Sequence, residues 1–400
     1  MGIQREWWEA LIGWKGTKLT ALKWRQVHAW RLSQHGLSPR LNSQDVIQAV
    51  TRTGGIQAQV MSAAELALCT RVEGLSAEDI KSALWQDRTL VKTWAMRATL
   101  HVLATSDLPL YAAALNFRDF RNWPAHFASY GLNPAQHEAL LSAVPQVVGS
   151  EPMTREHLAI ALEKGTGIAH LRDLILSSSW GTPLKQSAIR GDLCFGPKQG
   201  QNVTFVNPRA WIDKWPSIEP EQAVREIIRR YLRAYGPATA EDFARWCWDG
   251  GGKTEARQLF QSMNDELEEV DVEGWRAVAL RATLEPMQRL EPAETIHLLP
   301  LFDAYTIGTP REREQLFDGI YKRLIFRPQG WISAVILVNG SIQGVWHYTT
   351  RRSQTDVKVH LFCSPTALIQ KGIEAEVERL SDFFKTKVLL EYEHLSSSGL

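Results

Sequence analysis

The stretch Gly54-Gly55-Ile56-Gln57-Ala58-Gln59-Val60-Met61-Ser62 places two carboxamides two residues apart. Side chains at that spacing share one side of an extended chain, whereas on a helix they point to nearly opposite sides. Ser62 and Glu65 have capping-box spacing, so a helix is expected to begin after Ser62, leaving Gln57-Ala58-Gln59 in an extended approach. Neutral amides are poor bases. A pair of them can nevertheless hold one water molecule between donor and acceptor groups and turn oxygens toward a developing positive charge. That chemistry suits a bond that breaks toward a cation with water as the nucleophile. The same spacing also suits two glutamines that cap nearby backbone groups, and spacing alone leaves both readings open.

Other catalytic patterns fail on their spacing. Gly250-Gly-Gly-Lys253-Thr254 resembles the end of a phosphate loop, but Cys247 stands where the first glycine belongs. Gly165-Thr-Gly167 lacks the third glycine of a dinucleotide fingerprint, and His137-Glu138 has no second histidine at zinc-protease spacing. Cys69, Cys194, Cys247 and Cys363 lie far apart, so neither a disulfide framework nor a zinc site is expected. The expectation is therefore no metal and no nucleotide cofactor.

The elements that must carry the amides form a pattern that recurs three times: helices, a further capped helix, then a short strand pair. In the first copy a helix over Asn42–Thr53 is followed by one after Ser62 and one entered at Ser76-Ala-Glu-Asp79, then by strands Thr89–Trp94 and Ala98–Leu103 around Ala95-Met96-Arg97. The second has helices near Ala135–Val144, Thr154–Glu163 and His170–Ser178, with strand candidates Leu184–Ile189 and Val203–Val206. The third has helices Gln222–Ala234, one entered at Thr239-Ala-Glu-Asp242, and Thr254–Met263. A hairpin follows, Leu267–Val272 and Trp275–Leu280 across Glu273-Gly274. This is the shape of a winged helix, whose third helix and wing commonly meet DNA. Small α+β modules that bind protein share it.

From about His297 strands dominate: Thr295–Leu299, Trp331–Val338, Ser341–His347 and Val357–Phe362, with Asn339-Gly340 as a hairpin turn. Ser364-Pro365 then opens a helix that continues to about Phe384. The fold class is α+β, tandem winged helices with a C-terminal mixed domain, divided at 1–130, 131–215, 216–290 and 291–400.

Composition agrees with a folded protein: 400 residues, 44% hydrophobic and 22% charged, enough for two to four domains and for several cores. No apolar run is long enough to span a membrane, and Met1 to Trp14 carries charges and tryptophans where a signal peptide needs an apolar core. A cytoplasmic, nucleoid-associated chain is expected. The net charge of +1 hides segregation, since Arg225, Arg229 and Arg233 would line one helical stripe beside Arg230, with an acidic run at Asp265–Glu273. The stripe is either a phosphate-binding face or ordinary solvated surface. Most of the sixteen tryptophans are expected to pack between modules.

Three segments in order then become informative. Gly55-Ile-Gln57-Ala-Gln59, Val91-Lys-Thr-Trp94-Ala-Met-Arg97-Ala-Thr-Leu-His101-Val-Leu and His297-Leu-Leu-Pro300-Leu-Phe302-Asp303-Ala-Tyr305-Thr-Ile-Gly308 resemble the AlkZ/YcaQ-type winged-helix DNA glycosylases over roughly residues 20 to 390. Gln57 and Gln59 match the Gln-apolar-Gln signature of the AlkZ branch, with the small Ala58 between them. The resemblance implies a C-shaped molecule and monofunctional removal of alkylated purines, including crosslinked ones, from double-stranded DNA. Gln57 and Gln59 then become the catalytic pair. Asp303 is a candidate auxiliary carboxylate beside the sugar, or a structural turn residue. Trp94, Arg97 and His101 fall in the first hairpin, where Trp94 is core or DNA-facing and Arg97 meets phosphate or groove. Phe302 and Tyr305 are candidates to line the lesion site. Arg351 and Arg352 suit a basic hairpin aimed at DNA, or an exposed turn. A monomer is the expected state. A DNA-binding regulator without bond-breaking activity and a protein-interaction module are the rival readings.

Overall fold

The computed structural model describes residues 19–118, 122–178, 181–212, 214–310 and 315–393; Met1 to Trp14 lies outside them. Strand β1 (Thr20–Leu22) and helix Trp24–Gln34 lead into the first repeat. That repeat runs helix Val46–Arg52, β2 (Ile56–Gln57), helices Met61–Cys69 and Ala77–Trp85, β3 (Leu90–Trp94) and β4 (Leu100–Ala104), with sheet order β2-β4-β3. The second runs helix Pro134–Val147, β5 (Met153–Thr154), helices Arg155–Thr166, Leu171–Ser177 and Thr182–Ile189, then β6 (Cys194–Gln199) and β7 (Asn202–Val206), order β5-β7-β6.

The third has helices Pro220–Tyr235, Ala240–Trp248 and Lys253–Gln261, then β8 (Leu267–Val272) and β9 (Trp275–Leu280), while Ala238 bridges to Val278. In the first two copies a short strand between the first two helices pairs with the last strand, and in the third the single bridge from Ala238 to Val278 takes its place, which is winged-helix connectivity. β1 adds itself in parallel to β8, so a strand that precedes the first repeat joins the third sheet.

Local chemistry explains the boundaries. Ser76 and Asp79, and likewise Thr239 and Asp242, exchange side-chain and backbone bonds as capping boxes, with the shorter aspartate in place of glutamate. Glu273-Gly274 turns with both φ positive, the twist a two-residue hairpin needs. Two expectations fail in this region. Leu184–Ile189 is not a strand: it lies in helix Thr182–Ile189, where Pro183 occupies the first turn and Leu184, Ala188 and Ile189 are buried at helical spacing. The helix after the glutamines begins at Met61 rather than after Ser62, with Val60 at its N-cap and no side-chain cap.

The C-terminal sheet runs β10 (Ile296–Leu299), β11 (Val335–Val338), β12 (Ser341–Thr350), β13 (Gln354–Leu361) and β14 (Lys387–Tyr392) in that order. All pairs are antiparallel except β13 and β14, which helix Ala367–Phe384 connects in parallel. That helix takes its cap from Thr366, whose hydroxyl accepts the Ile369 N–H at 3.3 Å, and not from Ser364.

The modules are not separate bodies inside. One buried apolar cluster runs from Val91 and Trp94 through Leu184 and Phe205 to Tyr231, Trp246, Trp248 and Phe302, spanning all three repeats and reaching the C-terminal region. Trp24 stacks on Trp275 at 5.2 Å and Trp94 packs on Phe195 at 4.8 Å, so these tryptophans are packing residues.

The first repeat is also tied to the C-terminal region by charge. Arg71, just past helix Met61–Cys69, makes two bonds of 2.7 Å to the carboxylate of Asp303, and both side chains are 0% exposed. Removing one partner strands a charge in a dry interior, so Asp303→Ala should cost about 3–5 kcal/mol. The apolar pair Arg71→Met with Asp303→Leu should recover most of that. Chemical denaturation of the three variants measures it.

Candidate functional site

Gly54 and Gly55 bring the chain into β2 with φ of +69 and +101. A Cβ on Gly55 would lie 2.6 Å from Leu103, and one on Gly54 would lie 2.9 Å from the Trp246 ring, so both the backbone angles and the space require glycine. Just before them the Tyr235 hydroxyl donates to the Thr53 carbonyl at 2.7 Å, fastening this entry to the third repeat.

Two antiparallel rungs, Ile56 with Val102 and Gln57 with His101, then fix which way side chains face. Ile56 and Ala58 enter the core at 0% exposure, and Gln57, between them, takes the other side, while Gln59 follows at a bend past the strand's end. Gln57 is 7% exposed, and Gln59 is more open.

Both amide oxygens are anchored. Arg97 Nη2 donates to Gln57 Oε1 at 2.9 Å, and the Leu100 N–H donates to Gln59 Oε1 at 2.8 Å. The second bond has a clear origin. Ala58 N–H donates to the Leu100 carbonyl at 2.7 Å, so the ladder is still closing there, but the return bond goes to the Gln59 side chain. Gln59 thus ends the strand pairing with its own side chain, as in the backbone-capping reading. Each bond takes one of the oxygen's two lone pairs. Because both partners can only donate, the oxygen end of each amide is settled.

The first hairpin departs from expectation at Arg97. Arg97 lies in a turn with φ +56 and does not point outward: besides Gln57 it donates to the Trp246 carbonyl, and its Nη2 lies 3.4 Å from His101 Nε2. His101 is buried, with Nδ1 2.9 Å from the Thr99 carbonyl. That contact places the ring proton on Nδ1 and leaves Nε2 as an acceptor for Arg97. Burial, then the neighbouring Arg97 charge, lowers the His101 pKa to about 3, so the ring is neutral. Trp94 is core. Lys92 pairs with Val102 in the row of Ile56, on the opposite face from Gln57, so it does not approach the amides.

The C-terminal candidates divide. Asp303 is consumed by Arg71 and by the Tyr305 N–H at 2.9 Å, so it has the turn role and no access to a sugar. Tyr305 is buried, its hydroxyl donating to the Gly340 carbonyl at 2.7 Å, and it lines no open surface. Phe302 is buried with φ +56, 5.1 Å from the 38% exposed Trp331. Arg351 and Arg352 stand exposed at the tip of the β12–β13 hairpin, with Arg351 only 3.5 Å from Asp356, two rungs from the turn. On the same hairpin, Tyr348 interacts with the Ser62 side chain beside the glutamine segment. The arginine stripe on helix Pro220–Tyr235 is largely neutralised: Arg225 pairs with Glu221, Arg229 with Glu226 and Glu266, and Arg230 with Asp107 and Glu226. Sequence reasoning missed Arg71, Tyr235 and the Trp246 carbonyl, none of which has a local signal.

Comparison with known proteins gives consistent matches. Residues 50–383 fit the family model described as DNA glycosylase AlkZ-like. The chain is 34% identical over 363 residues to the interstrand DNA cross-link repair glycosylase of Streptomyces sahachiroi, covering 90% of this chain and 95% of that one. The solved Streptomyces sahachiroi DNA glycosylase AlkZ superposes with a TM-score of 0.85 at 32% identity, over 94% of this chain and 100% of that one.

Replacing Gln59 by alanine leaves the Leu100 N–H without its acceptor at the end of the ladder. The expected cost is about 1–3 kcal/mol, with faster hydrogen exchange at the Leu100 amide and little change in helix Ala77–Trp85. Exchange measured residue by residue tests this.

Proposed function

This chain belongs to the AlkZ-like family of DNA glycosylases, and we propose that it hydrolyses the N-glycosidic bond of N7- or N3-alkylated purines in duplex DNA, crosslinked purines included, leaving an abasic site. The observation that carries this reading is the anchoring of two amide oxygens two residues apart, Gln57 in the two-rung strand and Gln59 just past its end.

An alkylated purine already bears positive charge and leaves without strong acid assistance, so the sugar develops oxocarbenium character early. What remains is to hold a water molecule and tolerate the cation. Gln57, with its oxygen on Arg97, offers its NH2 as a donor to the water oxygen. Gln59, whose oxygen keeps a second lone pair, accepts a water hydrogen. Positioned help of this kind contributes on the order of 10² to 10⁴ in rate. An unmodified purine is a much poorer leaving group, and a catalyst without a strong acid or base spares it. Lys92 lies on the face opposite Gln57, away from a position to form a Schiff base there, in keeping with a monofunctional reaction. The exposed Arg351–Arg352 tip supplies phosphate contacts at the side where Tyr348 meets Ser62.

Gln57→Ala combined with Gln59→Ala should reduce excision of 7-methylguanine to the uncatalysed level while duplex binding persists, as measured by alkali cleavage of abasic sites and by anisotropy. Native protein that binds alkylated duplex yet releases no base would make it a DNA-binding protein only. A second expectation concerns pH. The amides do not titrate, and His101 gains its proton only near its lowered value of about 3, so acidification through the ordinary histidine range leaves it neutral. Single-turnover excision should therefore be flat from about pH 6 to about pH 8. A limb with a midpoint in that window would mean that another group carries the proton transfer.

A further inference from the structure

Arg97 was expected to face DNA, and it faces inward. Its guanidinium reaches acceptors on three different elements: Gln57 Oε1 on β2, His101 Nε2 on β4, and the carbonyl of Trp246 in helix Ala240–Trp248 of the third repeat. Gln57 and His101 are direct partners in the sheet, so one Nη2 serves both across a single rung. The neutral ring of His101, with its proton committed to the Thr99 carbonyl, is what makes the second acceptor available.

A carboxamide is nearly symmetric in shape, and a free one presents oxygen or NH2 with little preference. A guanidinium has no acceptor, so an amide held against it has one orientation only: oxygen inward and NH2 away. The bond is charge-assisted, and reversing the amide would set donor against donor. The backbone reinforces this, since Arg97 and Ala98 both adopt positive φ, a conformation L-residues pay to enter and keep only when surrounding contacts hold them.

We propose that Arg97 is a positioning residue of the glycosylase reaction, orienting the Gln57 amide so that its NH2, and not its oxygen, meets the attacking water, and coupling that orientation to the docking of the third repeat. The proposal rests on the assignment of Gln57 as catalytic given above.

The test separates orientation from DNA contact. For Arg97→Ala, the single-turnover rate for 7-methylguanine at saturating enzyme should fall about 10²-fold, as misplaced catalytic groups do, while Kd for a duplex carrying an abasic-site analogue stays within about twofold. Arg97→Lys, which keeps the charge but cannot span all three acceptors, should lie between the two. In a Gln57→Ala background, Arg97→Ala should cause no further loss, because its effect passes through that amide. A native saturated rate in Arg97→Ala, weaker binding with an unchanged saturated rate, or a further loss in the Gln57→Ala background would overturn the proposal. If Arg97→Ala does not fold, as judged by its thermal transition, Arg97→Lys is held to the same two measurements, and a native rate there overturns it. Wild-type protein that releases no base would instead defeat the glycosylase reading.

Discussion

Two rungs of antiparallel pairing, Ile56 with Val102 and Gln57 with His101, set everything that the candidate site does. A strand alternates its faces, so burying Ile56 and Ala58 turns the intervening Gln57 to the other side. A slip of one residue would turn Gln57 toward the apolar core and Ile56 away from it. So short a strand would be weak alone. It is held by the glycine entry against Trp246 and Leu103, by Tyr235 on the Thr53 carbonyl, and by Gln59 closing the ladder on Leu100.

The same constraint explains why the modules share one interior. The floor beneath the amides is built from the third repeat: Tyr235, Trp246 and the helix that carries it. Behind, Arg71 and Asp303 join the first repeat to the C-terminal region through a pair with no exposure. Such a pair is a poor source of stability, because desolvation offsets attraction, yet it is demanding about geometry. Its bidentate bonds and the cap that Asp303 gives to Tyr305 fix the register between two distant stretches of chain.

Local signals in the sequence specify several elements on their own. The capping boxes at Ser76 and Thr239 and the turns at Glu273-Gly274 and Asn339-Gly340 are encoded within a few residues, and they appear where expected. Gln57 lies in an extended strand as expected, but Gln59 stands at a bend past its end, and Ser62 does not cap the next helix. What escaped depends on distant partners. Leu184–Ile189 is apolar enough for either element, and only the sheet formed by Cys194–Gln199 and Asn202–Val206 shows that no strand was needed there. Asp303 looked available because nothing near it in sequence announces Arg71, and Arg97 looked outward because its acceptors lie in β2 and in a helix well over a hundred residues away. Period and composition say that a cation sits on a turn; they do not say which side of the turn is already occupied.

The first repeat differs from the other two at the end of its short strand. In the second, Thr154 is both the last residue of the short strand and the cap of the next helix, accepting the His157 N–H at 3.3 Å. In the third, Thr239 follows the bridging Ala238 at once and caps its helix through Asp242. The first repeat instead inserts Ala58-Gln59-Val60 between strand and helix and enters the helix with no side-chain cap. A missing cap typically costs about 1 kcal/mol. The inserted residues place a second amide two positions after the first. They also supply the acceptor for Leu100 that the broken ladder would otherwise lack. Where its sisters use the end of the short strand to start a helix, this repeat uses it to hold a pair of carboxamides. That local departure from a shared design marks the site independently of any likeness to other proteins.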